Sequence, residues 1–420
     1  MVVRLWIAEG LVCQSKSDKT MEEIGDEYFD ELVSRSLIHR RSLTGQANFK
    51  MHDLINGLAT IISSAYCVRC EDPMSHASVE RIRHLSYNRG EYNSFNKFDC
   101  LYGSKGLRSF IALPLRWWWL RSGHFASYYL SNKVVHDLLP AMTKLRVLSL
   151  SHYVNITELP DSLGKLIFLR YLDLSNTRIQ RLPDETCKLY NMQTLLLSKC
   201  WLLTELPEDI GNLVNLQHLD NSETNLKKMP KQIATLKSLQ TLSTFVISKP
   251  QDGLMVGELK NFPLLQGKLS ILKLQNVVDP SEAFQANLKK REQINELALE
   301  WDSGTTEDTE IERLVLEQLH PPINLKKLTI KSYGGTSFPN WLGDTAFGNM
   351  VSLCLSGCDH CWSLPPLGRL VSLKELYISE MKSVKTVDTE FYGSTPPSFQ
   401  PFPSLEILSF EGMLEWKNGT

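Results

Sequence analysis

Two pairs of cysteines stand at the spacing that metal and redox chemistry use: Cys67 with Cys70, and Cys358 with Cys361. Thiolates three residues apart clamp zinc or cycle as a disulfide when a second pair or histidines complete the site. Asp359 and His360 lie within the second pair, but no further pair follows at a finger-like distance. The expectation is therefore of thiols in buried or half-buried turns just after a strand, with no metal. Glu22 and Glu23 are adjacent carboxylates, a pattern that also serves acid–base chemistry; here they read as the solvated face of a helix. No nucleophile elbow, metal-binding helix motif or phosphate loop of the form G-x-x-x-x-G-K-S/T is present. No catalytic residue is expected, and the chain does not read as an enzyme.

Composition narrows the classes further. Lys and Arg total 45 against 47 for Asp and Glu, so no global field draws the chain to nucleic acid or anionic lipid. No uncharged apolar run approaches the roughly 18 residues that read as a membrane span. Arg4 and Glu9 interrupt the apolar start MVVRLWIAEGLV, and no small-residue cleavage site follows, so no signal peptide is read. The nine scattered cysteines are then expected to be reduced thiols of a cytoplasmic protein, and the sequons at Asn155 and Asn418 to be inert.

The element that dominates the sequence is a repeat. LRVLSL begins at Leu145, LRYLDL at Leu169, MQTLLL at Met192, LQHLDN at Leu216 and LQTLST at Leu239, at intervals of 24, 23, 24 and 23 residues. Leu159-Pro160, Leu182-Pro183, Leu206-Pro207 and Met229-Pro230 keep the same register, as do Leu166, Leu189, Leu213 and Leu236. In L-x-x-L-x-L the leucines turn inward from a short strand while the residues between them face out. One unit cannot bury its apolar side alone; stacking buries it against both neighbours. The predicted fold is an α/β leucine-rich-repeat solenoid, a horseshoe with parallel strands on its concave face. Regular repeats occupy 142–245 and irregular ones 246–420, within a domain spanning 81–420.

Strands are also predicted at 269–274, 294–299, 325–330, 350–355, 373–378 and 405–410, and earlier at 82–87 and 107–111. The stretches 247–267, 302–322 and 383–402 read as longer connections. Trp117, Trp118 and Trp119 fall in another, either anchoring that loop or offering an aromatic partner site.

Residues 1–66 carry no repeat and are followed by an expected linker at 67–80. Thr20 with Glu23 predicts a capping box, and Met21, Ile24, Tyr28 and Leu32 recur at helical spacing. Residues 37–41 and 47–51 read as a hairpin around Thr44-Gly45. Asp53 is expected to cap a following helix that buries Leu54, Leu58 and Ile61. Helices followed by a hairpin suggest a partial winged-helix module, and without a basic recognition stripe its expected role is scaffolding.

RLWIAEGLV at 4–12, MHDLINGLA at 51–59, RHLSY at 83–87, LRYLDLSNTRIQRLP at 169–183 and SLPPLGRLVSLKELYI at 363–378 resemble plant intracellular disease-resistance proteins of the coiled-coil, nucleotide-binding, leucine-rich-repeat type. The resemblance covers nearly the whole chain and implies the end of the winged-helix region plus the repeats. It implies that His52, flanked by Met51 and Asp53, senses the phosphates of bound ADP or ATP in intact members. The P-loop and the signalling coiled coil of those proteins belong before Met1, so no cofactor is expected on this chain alone. The implied partners are a pathogen effector or guarded host protein, and the nucleotide-binding domain of the intact receptor; neither nucleic acid nor a membrane span is expected.

The outward rows of the repeats are the expected protein-binding surface. Arg146, Arg170, Gln193, Gln217 and Gln240 form one row, Val147, Tyr171, Thr194, His218 and Thr241 the next, and Ser149, Asp173, Leu196, Asp220 and Ser243 a third. Mixed polar and aromatic side chains preorganised across rigid strands suit recognition of a protein. The reading that follows is the recognition and autoinhibitory portion of an innate-immune receptor. The alternatives are a stand-alone adaptor, such as a substrate receptor for a ubiquitin ligase, or a truncated decoy.

Overall fold

The computed structural model describes residues 1–13, 19–43, 46–70, 81–102, 104–113, 127–250, 252–304, 309–393 and 400–415. It resolves into two compact units, the first comprising residues 1–203, 212–216 and 223–225, and the second residues 204–211, 217–222 and 226–420. Trp117 to Trp119 lie outside the described residues.

The first unit begins with helix α1 (Val2–Glu9), which stops at Gly10, a left-handed residue with φ 79°. Gly10 and Leu11 donate their backbone N–H groups to Ile7 and Trp6 at 2.9 Å, closing the last turn as a glycine C-cap does. Helix α2 (Met21–Ser34) opens on the predicted capping box: Glu23 N–H donates to Thr20 Oγ1 and Thr20 N–H to Glu23 Oε2. Ile7, Val12 and Ile24 form a small core between these helices, with Trp6 and Met21 packed against it. Strands β1 (Ile38–Leu43) and β2 (Gln46–Met51) pair antiparallel, as the hairpin signal predicts.

Helix α3 (Asp53–Ser63) departs from expectation twice. Its cap is His52, whose Nδ1 accepts the Leu54 N–H at 3.3 Å, and Asp53 is the first helical residue. No α3 residue is buried: Leu54 is 78% exposed and Ile61 74%. The spacing of the apolar stripe predicts the helix, but periodicity does not say whether anything covers the stripe.

The repeats of the first unit align β3 (Cys67–Cys70), β4 (His84–Asn88), β6 (Ser109–Leu113), β8 (Val147–Ser149), β9 (Tyr171–Asp173) and β10 (Thr194–Leu196) in parallel. The short strands β5 (Tyr92–Asn93) and β7 (Tyr129–Leu130) pair beside them. Strand β3 falls inside the segment read as a linker and pairs with β4, Cys67 opposite His84. Leu145, Leu148, Leu150, Leu169, Leu172 and Leu174 are all inaccessible, as their spacing requires. At roughly 1.5–3 kcal/mol per leucine, three per repeat supply the cohesion that a three-residue strand lacks. After each strand the chain must turn, and it does so at one fixed position: His152, Asn176, Lys199 and Glu223 all have φ between 54° and 68°. The Asn176 amide meets His152 Nδ1 at 2.9 Å, so consecutive turns brace one another.

In the second unit, β11 (His218–Asp220) and β12 (Thr241–Leu242) pair in parallel. Strand β13 (Thr244–Val246) then starts a second parallel sheet with β14 (Gly267–Leu272), β15 (Ile294–Glu300), β16 (Lys327–Lys331), β17 (Ser352–Ser356), β18 (Glu375–Ser379) and β19 (Ile407–Glu411). Strands β16 to β19 begin two residues after the apolar residue that opens each predicted span, because that residue belongs to the turn entering the strand; β15 begins where predicted, β14 two residues earlier, and β13 was not predicted. The connection 302–322 contains a helix, Thr309–Gln318, whose buried Glu312 accepts the Gly334 N–H at 2.7 Å. Both sheets are open. No helix among the described residues is long and apolar enough to cross a membrane.

Candidate protein-recognition face

The outward rows of the first unit carry the chemistry that distinguishes it. Register fixes His84 opposite Ser109, Ser109 opposite Val147, and Val147 opposite Tyr171. The residue before each is an arginine: Arg83, Arg108, Arg146 and Arg170. Four cations therefore stand in one row across neighbouring strands, about 4.8 Å apart at the backbone. Among the described residues, Arg108, Arg146 and Arg170 have no carboxylate within ion-pairing distance. Partial burial lowers the Arg146 pKa, repulsion from Arg108 and Arg170 lowers it further, and Glu9 opposes both.

Helix α1 lies against this face. Ala8 packs onto Val147 and Tyr171, with Leu5, Ile111 and Leu196 around them. The Arg146 guanidinium donates to the Glu9 carbonyl at 2.7 Å, where the negative end of the helix dipole favours a cation. Ser109 Oγ donates to Glu9 Oε1, and His84 Nδ1 lies 2.7 Å from the same hydroxyl and 3.6 Å from that carboxylate oxygen. The Glu9 side chain is only 9% exposed, and its Oε2 is buried without a hydrogen-bond partner. Burial alone pushes the Glu9 carboxyl up. The nearby His84 imidazole, the hydrogen bond from Ser109 and the charge of Arg146 outweigh that, so its pKa lies below the ordinary value.

The expected surface residues thus separate into kinds. Arg146 and Arg170 are half-buried beside α1, with their Nη1 atoms 3.5 and 3.9 Å from the position a Gly10 Cβ would take. Tyr171 is 1% exposed, and a segment of its own chain packs against it. Asp173 is buried, accepting from Ser149 Oγ and the Ser175 N–H, both at 3.0 Å. Gln193 is half-buried, its Oε1 lacking a partner.

In the second unit, Gln217 Oε1 is likewise unpartnered. His218 is 2% exposed, its Nδ1 lying 3.1 Å from Thr241 Oγ1. Asp220 accepts from Ser222 Oγ and Ser243 Oγ, both at 2.7 Å. The two aspartates hold their own turns, so their oxygens are spent on the scaffold. Sequence reasoning missed Glu9, Ala8, His84, Ser109, Arg83 and Arg108. The arginine row left a signal, RHL, RSF, RVL and RYL, each opening a strand.

The remaining candidates do not assemble a site. Met51, His52 and Asp53 are all exposed, and Asp53 lies 2.7 Å from Lys50 Nζ. In the tautomer that lets His52 Nδ1 accept from Leu54, Nε2 carries the proton. Cys358 and Cys361 are inaccessible; Cys361 Sγ donates to the Gly335 carbonyl at 3.1 Å. Burial pushes the Cys358 thiol up to about 12 and Cys361 well above its ordinary value, which keeps both as thiols. An apolar cavity of about 400 Å³ opens beside Trp6, Val12, Tyr28 and Leu32, walled on one side by the Glu31–Arg35 ion pair.

Comparison with known proteins agrees with this architecture. Residues 1–59 match the disease resistance protein winged helix domain family, residues 168–189 and 191–213 the leucine rich repeat family, and residues 256–381 the R13L1/DRL21 leucine-rich repeats. The disease resistance RPP13-like protein 1 of Arabidopsis thaliana is 44% identical over 99% of this chain and 40% of its own length. A second disease resistance protein of that plant is 45% identical over 99% of this chain and 29% of its own length. The disease resistance protein RGA2 of Solanum bulbocastanum is 33% identical over 99% and 40%. The chain spans two fifths or less of these curated relatives. With its winged-helix segment, its open parallel sheets of leucine-rich repeats and these relatives, the chain belongs to the plant disease-resistance proteins.

Proposed function

We propose that this chain is the recognition and self-restraining part of a plant innate-immune receptor acting in the cytoplasm. The strand face of its first unit reads a protein partner, a pathogen effector or guarded host protein, and α1 holds that face closed. The seat of α1 carries the reading: a helix of the winged-helix module occupies the side chains that repeats ordinarily offer to a partner. A partner that binds only where α1 has left is favoured by anything that loosens α1, and by linkage it loosens α1 in return. In longer members of the family, the nucleotide-binding domain is the further partner on which this coupling acts.

The Met51-His52-Asp53 segment fits contact with ADP or ATP on its donor chemistry, since an exposed histidine N–H beside a helix N-terminus suits a phosphate oxygen. The adjacent cation, Lys50, is already paired with Asp53, and the chain by itself is proposed to hold no nucleotide.

The test is a graft of residues 1–420 in place of the matching segment of a full-length relative, expressed in leaf tissue. Ala8→Arg places a charge between Val147 and Tyr171 and is expected to cause cell death without a pathogen, while the unaltered graft stays silent. A silent Ala8→Arg graft that accumulates normally would remove the restraint from the reading.

A further inference from the structure

We propose that the arginine row of the first unit is a receptor for the C-terminal end of an acidic helix supplied by another protein, seated where α1 now lies. The proposal rests on the reading of α1 as an occupant and names the chemistry of what replaces it.

Helix α1 defines the shape of the ligand. Its last turn presents a small residue, Ala8, to Val147 and Tyr171; then a carboxylate, Glu9, to Ser109 and His84; then a glycine in the left-handed conformation, which lets the helix end beside Arg146. Any larger side chain at the Ala8 position meets the buried Tyr171 ring. A Cβ on Gly10 would lie 3.5 Å from Arg146 Nη1, on a backbone that L side chains rarely adopt. A helix ending in a small residue, an acidic residue and glycine therefore fits a seat the chain has already built.

Charge sets the direction of exchange. Helix α1 brings one carboxylate and the negative end of a short dipole, whereas Arg108, Arg146 and Arg170 have no other carboxylate within reach among the described residues. Their mutual repulsion registers at Arg146. Glu9 is itself only half used, because Oε2 is buried and unpartnered. An incoming helix with acids beyond its glycine reaches Arg108 and Arg170, which α1 leaves unneutralised: the residues after Gly10 are Leu11 and Val12. Charge complementarity of this kind selects an acidic partner and speeds its encounter.

The experiment uses the full chain and a labelled peptide copying residues 1–12 with glutamate at the last two places, followed by fluorescence anisotropy. Glu9→Gln weakens the resident helix and is expected to tighten peptide binding about tenfold. Arg108→Gln in that background is expected to weaken it about fivefold; Arg108 is exposed, so folding is not at stake. Rising salt weakens binding, and hydrogen exchange in α1 accelerates as the peptide binds. Equal affinity for an uncharged peptide overturns the proposal, as does binding that leaves α1 exchange unchanged. Displacement of the peptide by millimolar inorganic phosphate or by short duplex DNA overturns it too, since the row would then read phosphate. A silent Ala8→Arg graft alongside intact, charge-dependent peptide binding would sink the restraint and leave this site standing.

Discussion

The two sheets are built from the same repeat, yet their outward rows differ in charge. In the first unit the outward rows carry a line of arginines and a buried tyrosine, and a helix of the chain is seated on them. In the second, outward rows neutralise themselves laterally: Glu296 meets Lys327 and Glu300 meets Lys331, each at 3.5 Å on adjacent strands β15 and β16. Between those rows runs a line of small residues, Ser270, Ala298, Thr329 and Cys354, ending at a half-buried Tyr377. Exposed pairs of this kind contribute little stability, but they cancel the field that would steer a charged partner. The leucine spine sets how a face is displayed; the residues between the leucines decide whether it attracts anything.

Equivalent substitutions on the two faces break or sharpen this comparison. The largest effect is expected from the tyrosines. Tyr171→Ala removes a fully buried ring beneath α1 and should cost about 3 kcal/mol. Tyr377→Ala on the open face should cost about 1 kcal/mol or less. Chemical denaturation measures both, and equal losses would mean that α1 adds nothing to the burial of the first face.

A smaller difference is expected for the cations. Arg146→Gln deletes the bond to the Glu9 carbonyl and should reduce hydrogen-exchange protection of α1 roughly tenfold, about 1.4 kcal/mol. Lys327→Gln deletes an exposed pair and should change protection in β15 and β16 by less than about 0.5 kcal/mol.

The smallest effect is in pH. The Glu9 carboxyl is depressed below its value of 4.5 in the free chain, through His84, Ser109 and the nearby Arg146. Its contribution to holding α1 is therefore fully present above about pH 4.5 and is lost as the pH falls through the depressed value. Exchange in α1 should accelerate over that acidic window, and Glu9→Gln should abolish the dependence; an unchanged profile in the variant would assign the effect to another group.

Much of the fold was legible before any coordinates. The strand leucines, the capping box at Thr20 and the hairpin after α2 are local patterns with one physical solution each. Asp53 was read as a cap because its side chain suits that position, but His52 holds the φ/ψ of the cap and its ring supplies the acceptor. Leu54, Leu58 and Ile61 lie on one stripe as their spacing requires, yet are exposed. Arg146 and Arg170 were visible as a row, whereas Glu9 read only as an interruption in an apolar start. Its partners Ser109 and His84 stand 100 and 75 residues away, beyond any local pattern.

By itself, the sequence determined that regularly spaced leucines stack into parallel strands, because an inward leucine has no other place to go once its neighbours are in register. Only the tertiary structure decided which outward side chains meet one another and which helix lies on them. Those contacts depend on the path of the chain between distant segments, and an amphipathic helix such as α1 or α3 satisfies its own periodicity equally well covered or bare.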